Sequence, residues 1–116
     1  MNHKELDVWK KSMDLVESIY KISNSFPDLE KFGLTSQIRR AAISIPSNIA
    51  EGAGRKSDKE FIQFLHIALG SLTELDTQYL IAVRLKYIKN NKELELLIND
   101  TKRLLLGFRN YLKRKK

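Results

Sequence analysis

Residue types that commonly perform catalytic or metal chemistry are few in this sequence and stand apart from one another. His3 lies beside Glu5 at a terminus that we expect to fray, and His66 has no His, Asp or Glu at helical spacing for a divalent-metal site. On one helix, Glu74 and Asp76 would point about 160° apart, so they do not form a carboxylate pair. The absence of Cys excludes disulfides and thiolate chemistry. The sequence therefore predicts no metal, no cofactor, no catalytic residue and no enzymatic activity.

Two further features resemble functional sites but have simpler structural interpretations. Gly52-Ala53-Gly54 shares only its glycines with a phosphate-binding loop, since it follows a predicted helix rather than a strand and lacks the G-K-[ST] sequence. We interpret it as the end of a helix. Asp76 falls within the apolar stripe of another predicted helix. We expect it to be a buried structural residue paired with Arg39 or Arg40, because a buried carboxylate needs a cation or several donors.

The elements that would position these residues are four amphipathic segments, with no alternating pattern typical of a strand. The first predicted helix runs from about Glu5 to Ile22 and has an apolar arc of roughly 200°, wider than one neighbour covers. The second begins with Thr35 or Ser36 as its N-cap. Pro46 inside it predicts a kink or a break into two pieces. A polar ridge follows one flank of its apolar stripe: Gln37, Arg40, Ser44, Asn48 and Glu51.

The third and fourth helices have clear start signals. Ser57 and Glu60 form a capping box, and apolar residues then alternate spacings of four and three from Phe61 onward, as in a helical bundle. The fourth helix follows Asn90 or Asn91 as its cap. Short connections between long helices favour antiparallel neighbours. We therefore predict an all-α, antiparallel up-and-down four-helix bundle, as a single domain over residues 1–116 with a basic C-terminal tail at residues 113–116.

Apolar surface beyond the needs of one bundle indicates self-association. Besides the wide arc of the first helix, Ile67, Ile81 and Leu85 lie off the main seam of the third. Each helix of a bundle contacts two neighbours, which is the alternative explanation for a wide apolar face. No run approaches the roughly 20 apolar residues of a membrane span, and the first residues contain no secretion-type apolar region. We therefore expect a cytoplasmic protein without a membrane partner.

Charge is concentrated in particular segments of the chain. The sequence carries 21 Lys and Arg against 14 Asp and Glu, a formal net charge of +7, and contains no acidic residue after Asp100. Such a surface can contact nucleic-acid phosphates. Alternatively, basic helix ends complement the helix dipole and aid solubility. Aromatic residues for base stacking are scarce near the tail, where only Phe108 and Tyr111 are present. The candidate nucleic-acid-binding residues are Arg39, Arg40, Arg55, Lys56, Lys102, Arg103, Arg109, Lys113 and Arg114.

The stretch from Gly33 to Gln78 carries a family resemblance, and Leu6–Tyr20 extends it. The most specific matches are SQIRRAA from Ser36, IPSNIAEG from Ile45 and ALGSLTEL from Ala68. This pattern resembles the 23S rRNA intervening sequence protein family, four-helix-bundle proteins encoded within intervening sequences of bacterial 23S rRNA genes or in free-standing genes. The resemblance implies a homopentameric ring and supplies no catalytic residue. Some relatives are accessory proteins of a reverse transcriptase.

Two functions are consistent with these observations. The resemblance and the charge favour a non-enzymatic oligomer that associates with rRNA or another nucleic acid, with Arg39, Arg40 and Arg55 as the candidates within the family motif. The alternative is an interaction scaffold or accessory subunit that binds a protein partner, for example a reverse transcriptase, without contacting nucleic acid.

Overall fold

The computed structural model describes residues 1–115 and contains, over that range, four α-helices and no strand. The all-α prediction is confirmed. Two short 3-10 helices precede α1 and α2, at His3–Glu5 and Asp28–Glu30. The four α-helices are α1 at Asp7–Ser23, α2 at Leu34–Ala53, α3 at Asp58–Arg84 and α4 at Lys92–Arg114.

The helices pack around a square. Helix α1 packs against α2 and α4, and α3 packs against the same two helices, whereas over the described range no Cα atoms of the diagonal pairs come within 8 Å of each other. With its short links, this order gives the predicted up-and-down bundle, which measures 48 × 25 × 20 Å. The connection from α2 to α3 and the end of α4 therefore lie at one end of the bundle. The α1–α2 and α3–α4 links lie at the other.

The core consists of the apolar stripes predicted from the sequence. Leu15, Ile38, Ile45, Leu65 and Leu105 have no exposed surface. Burial of a Leu or Ile side chain contributes about 1.5–3 kcal/mol, so these stripes supply the main driving force for helix packing.

Tyr79 is the largest fully buried side chain, and its hydroxyl is satisfied inside the core. This oxygen accepts the backbone N–H of Asn91 at 2.7 Å and donates to Glu95 Oε2 at 2.7 Å. Burial of the phenol raises the pKa of Tyr79. The hydroxyl thereby joins α3 to the first turn of α4, because Asn91 is the N-cap of that helix.

The helix starts agree with the sequence in two cases out of three. Ser57 Oγ accepts the Glu60 backbone N–H at 3.2 Å, and Asn91 Oδ1 accepts that of Leu94 at 2.9 Å. The prediction that Thr35 or Ser36 caps α2 is wrong. That helix begins at Leu34, whose N–H is accepted at 2.9 Å by the carboxylate of Glu30.

Glu30 also connects the two links at its end of the bundle. Its second carboxylate oxygen accepts the Tyr87 hydroxyl at 2.7 Å. The Leu34 N–H and the Tyr87 hydroxyl together lower the pKa of Glu30, because both donate to its ionised form. The same hydrogen bond raises the pKa of Tyr87.

Pro46 does not divide the second helix, so of the two predicted alternatives, a kink or a break into two pieces, the break is wrong. Helix α2 continues from Leu34 to Ala53 with Pro46 inside it. A proline in a helix removes one backbone hydrogen bond, at a cost of about 3 kcal/mol. Here Pro46 is buried, and its neighbours Ile45 and Ile49 lie in the core, so packing on both sides holds the helix together.

The predicted burial of Asp76 is also wrong. Asp76 is exposed in the chain, and over residues 1–115 it forms no ion pair with Arg39 or Arg40. The wheel places it beside Leu72, but the buried side of α3 is centred on Leu72, Leu75 and Tyr79. Asp76 lies just past the edge of that buried side. The buried polar residue of this segment is Gln78 instead, which is 6% exposed.

Candidate nucleic-acid interface

Basic residues from the ends of two helices, α2 and α4, lie at one end of the bundle. Arg55 and Lys56 follow the end of α2, and Lys113 and Arg114 close α4. Lys115 Nζ lies 3.7 Å from Asp58 Oδ2 at the start of α3, which places the end of α4 against that turn. We call Arg55, Lys56, Lys113 and Arg114 the basic end. Lys116, the last residue of the predicted tail, lies outside the described residues.

The four side chains of the basic end differ in how much the fold restrains them. The Arg55 guanidinium lies 3.4 Å from Glu51 Oε1, and its carbon is 4.8 Å from the centre of the Phe64 ring. Lys56, Lys113 and Arg114 are exposed. Arg55 is thus held in place while the others extend into solvent, where their charges are available to an anionic partner.

The remaining candidates on α4 lie on two different sides of the helix. Lys102 and Arg109 are seven residues apart and share the flank of Glu95, which faces α3 through Tyr79. Arg109 Nε lies 3.3 Å from Asn110 Oδ1. Arg103 lies on another side and forms an ion pair with Asp100. The Lys102 and Arg109 flank runs toward Lys113 on the basic end, and the side of Arg103 runs toward Arg114.

Arg39 has a structural role at the opposite end of the bundle. Its Nε donates to Ser23 Oγ at 2.8 Å, and one terminal nitrogen donates to Asn24 Oδ1 at 3.1 Å and to the Tyr20 carbonyl at 3.4 Å. The guanidinium also lies over the Tyr20 ring, 4.5 Å from its centre. These contacts satisfy the end of α1, so Arg39 connects α1 to α2.

Arg40 points in a different direction and lines a cleft between α2 and α3. Consecutive helical residues are separated by about 100°, which takes Arg40 from the α1 side of α2 to the α3 side. The cleft has a volume of about 440 Å³. We call it the polar cleft. Its lining residues are Phe32, Ser36, Gln37, Arg40, Glu74 and Gln78.

The sequence points to Arg40 but not to its neighbours Phe32 and Gln78. Phe32 stands in the α1–α2 link and is 89% exposed, although a lone aromatic residue in a link gives no signal by itself. Gln78 had a weak signal, because Ser71 and Gln78 are seven residues apart and face the polar ridge of α2. Part of this pairing is direct, since the hydroxyls of Ser44 and Ser71 lie 2.8 Å apart.

Two apolar surfaces remain open on the chain. Trp9, Met13 and Val16 of α1 form a groove with Ile43 and Pro46 of α2. On α3, the residues predicted to lie off the seam are indeed exposed, and Ile67 is 50% exposed. Over the described residues, no three His, Cys, Asp or Glu side chains are grouped to hold a metal ion. None of the described helices has the length and apolar character needed to cross a bilayer.

Comparisons with known proteins identify relatives along nearly the whole chain. The family model of the 23S rRNA-intervening sequence protein matches residues 4–107. A crystal structure of a protein with unknown function, from the S23 ribosomal protein family of Bacteroides thetaiotaomicron VPI-5482, is 28% identical and superposes with a TM-score of 0.74. The match covers 87% of this chain and 96% of that one. No curated protein matches the chain.

Proposed function

Because the chain belongs to the 23S rRNA-intervening sequence protein family, we propose that it is a non-enzymatic, oligomeric bundle protein that associates with RNA through a repeated basic surface. The observation that carries this proposal is the meeting of Arg55, Lys56, Lys113 and Arg114 at one end of the bundle. These residues are distant in sequence, and the fold gathers them. Arg39 has its donors engaged within the fold and is not part of the proposed surface.

The physical basis of binding is release of counterions from RNA phosphates. Each phosphate neutralised by Lys or Arg lowers the slope of log affinity against log salt by about 0.7 on a single strand. Four contacts per copy would give a weak, salt-sensitive interaction. Repetition in an oligomer raises the overall affinity through avidity, without requiring a tight site on any one copy.

Self-association is the second part of the proposal. The apolar groove between α1 and α2 and the exposed stripe of Ile67, Ile81 and Leu85 are two different surfaces. Contact between unlike surfaces is head-to-tail and closes into a ring when the rotation between copies allows it. We propose a homopentamer, the ring size that the family resemblance implies.

The first experiment measures the mass of the protein by light scattering behind a sizing column, alone and with single-stranded RNA. It is run at about 50 and 300 mM salt, between which electrostatic binding falls steeply. We expect one defined oligomer at both salt concentrations and RNA uptake at the lower one. Absence of RNA binding at low salt, or equal binding at high salt, would contradict the basic-surface proposal.

A charge-matched pair of variants locates the RNA surface. Changing Arg55, Lys56, Lys113 and Arg114 to Gln removes four charges from the basic end. The control changes four exposed basic residues at the opposite end to Gln: Lys21, Arg84, Lys89 and Lys92. We expect the first variant to lose most RNA affinity and the second to retain most of it. Equal losses would show that only total charge matters.

The oligomer surface is tested separately with Ile81→Lys. This residue is 42% exposed on α3, so the charge costs little in an isolated chain but is buried if another copy covers it. We expect the mass to fall to that of the monomer while the helical content stays the same. Asp76→Lys, on another side of α3, is the control.

A protein-interaction scaffold or accessory subunit, for example for a reverse transcriptase, is the second candidate function. It is favoured by the exposed apolar pair in the α1–α2 link, where Leu29 is 81% and Phe32 is 89% exposed. Monomeric surfaces seldom carry such grouped apolar residues without a partner. If the oligomer forms but does not bind RNA, and the four-Gln variant of the basic end retains biological activity, this second function replaces the first.

A further inference from the structure

The polar cleft differs from the rest of the bundle because it contains a buried acceptor that nothing in residues 1–115 satisfies. Gln78 is only 6% exposed, and within the described residues its Oε1 has no hydrogen-bond partner. Nearby polar residues on the same two helices are paired, as Ser44 is with Ser71 and with Asn48. A buried acceptor without a donor costs about 1–3 kcal/mol. A ligand that donates a hydrogen bond to the Gln78 Oε1 would remove this cost.

The charged residues of the cleft are also unpaired. Arg40 and Glu74 both line it, but neither takes part in the ion pairs found over residues 1–115. Glu74 and Gln78 are one helical turn apart on α3, which places two acceptor groups side by side. Arg40 and Gln37 are neighbours on α2 and supply donors from the opposite wall. The cleft thus presents acceptors on one side and donors on the other.

Phe32 adds a flat apolar surface to this arrangement. Its ring is 89% exposed beside the cleft, with Lys31 Nζ 5.5 Å from the ring centre. Single-stranded RNA is commonly bound by stacking of an unpaired base on an aromatic ring and by hydrogen bonds to the base edge. A ring beside the buried Gln78 amide and the exposed Glu74 carboxylate provides both contacts.

We propose that the polar cleft binds an unpaired guanine base of RNA, an inference that rests on the proposed RNA association. Guanine carries N–H donors at N1 and N2 for Glu74 and the Gln78 Oε1. It also has acceptors at O6 and N7 for Arg40. The base stacks on Phe32, at the end of the bundle opposite the basic end, so the strand runs along the bundle for its phosphates to reach Arg55, Lys56, Lys113 and Arg114. The cleft supplies base selectivity, and the basic end supplies affinity.

Other ligand classes fit the cleft less well. A free phosphate would place its charge beside Glu74, where repulsion offsets the attraction of Arg40. A metal ion would find one carboxylate where it usually needs several oxygen ligands. Uracil lacks an exocyclic amino group and so offers fewer donors to the two acceptors. Among the four bases, only guanine has two adjacent donors, N1–H and N2–H, together with two adjacent acceptors, O6 and N7.

The first measurement uses nucleosides, which do not depend on phosphate contacts. Saturation-transfer NMR of the intact protein is recorded with guanosine and, separately, with uridine. We expect signals for guanosine that disappear in Gln78→Met and Glu74→Gln and weaken in Phe32→Ala. The matched controls are Glu93→Gln, an exposed carboxylate on α4, and Leu29→Ala, the other exposed apolar residue of the link. Equal signals for both nucleosides, or none for guanosine, would overturn the inference.

The second measurement compares two labelled RNAs by fluorescence anisotropy at about 50 mM salt. One is an eleven-residue oligouridine, and the other has a single central guanine. We expect about tenfold tighter binding of the second, since one well-formed base contact is worth that much. Gln78→Met should remove this difference and leave the affinity for oligouridine unchanged. A difference that persists in Gln78→Met would contradict the role of the cleft.

The two measurements separate failure of the cleft from failure of the proposed function. Binding of both RNAs with equal affinity, without a guanosine signal, leaves the RNA proposal standing and refutes the cleft. A guanosine signal without binding of either RNA supports guanine binding in the cleft and refutes the RNA proposal. Glu74 and Gln78 lie on the same face of α3 as Ile67 and Ile81, so a side chain from a second copy is the other donor that would satisfy Gln78. In that case Gln78→Met would change the mass of the oligomer, and guanosine would not bind.

Discussion

Gly52 lies at a close contact between α2 and α3, and replacing it with Ala tests that contact. A Cβ at Gly52 would lie 2.6 Å from Phe61 Cδ1 and 2.9 Å from Phe64 Cβ. The Phe61 ring is 4% exposed and packs edge-on against Phe108, so it has little room to rotate. Phe64 Cβ is fixed to the α3 backbone. The added methyl group therefore forces the two helices apart rather than moving one side chain.

The expected free energy combines two opposing contributions. Replacing Gly by Ala inside a helix ordinarily stabilises by up to about 1 kcal/mol, because the unfolded chain loses freedom. Overpacking a tight contact costs about 1–3 kcal/mol, and here both close atoms resist displacement. We expect Gly52→Ala to reduce the free energy of unfolding by about 1–2 kcal/mol in net terms.

Urea denaturation followed by circular dichroism measures this change, at one fixed protein concentration because self-association contributes to stability. Gly70→Ala and Gly107→Ala are the controls, since neither added Cβ would have any atom within 4 Å. Both should raise the urea midpoint, whereas Gly52→Ala should lower it with an unchanged slope. A raised midpoint for Gly52→Ala would refute the close approach of α2 and α3.

Three further substitutions test individual contacts of the fold. Arg39→Met removes the hydrogen bonds to Ser23 and Asn24, and we expect a loss of about 1–2 kcal/mol in urea denaturation with unchanged RNA affinity; reduced RNA affinity at full stability would show that Arg39 faces the ligand. Glu30 has a pKa lowered from its ordinary 4.5, so its stabilisation is present above pH 4.5 and is lost as the pH falls through the lower folded value. Glu30→Gln should therefore flatten the acid side of a plot of urea midpoint against pH, and an identical acid profile in both proteins would contradict this. Asp76→Ala should change stability by less than about 0.5 kcal/mol, because Asp76 is exposed, and a larger loss in thermal melts would restore the buried pairing.

The fold was predictable because its information is local and repetitive. The stripe of Leu65, Leu72 and Leu75 and the caps at Ser57 and Asn91 each specify a helix from a few neighbouring residues. The start of α2 was missed because its capping carboxylate, Glu30, precedes the helix in a separate 3-10 turn. Spacing rules consider residues inside the predicted helix and its immediate flank, and this contact forms outside that window.

The exposure of Asp76 and the burial of Gln78 show what a helical wheel cannot predict. A wheel gives the angle of each residue around its helix, but the boundary of the buried arc depends on where the neighbouring helices pass. Helix α3 contacts α2 over much of its length, which extends burial to Gln78 and leaves Asp76 outside. Which of these two edge residues is buried depends on how the neighbouring helices pack against α3, so the sequence of α3 alone does not determine it.

Arg39 and Arg40 illustrate why a motif identifies a surface less precisely than a structure does. The two are adjacent in a segment shared with the family, and composition treats them alike. The 100° turn between them sends Arg39 into the end of α1, where its donors are satisfied, and Arg40 into a cleft whose polar groups are not. The three hydrogen bonds of the Arg39 side chain would have to break before it could bind a ligand. Ranking candidate residues by their unsatisfied hydrogen-bonding capacity therefore moves attention from Arg39 to Arg40, and from there to Gln78.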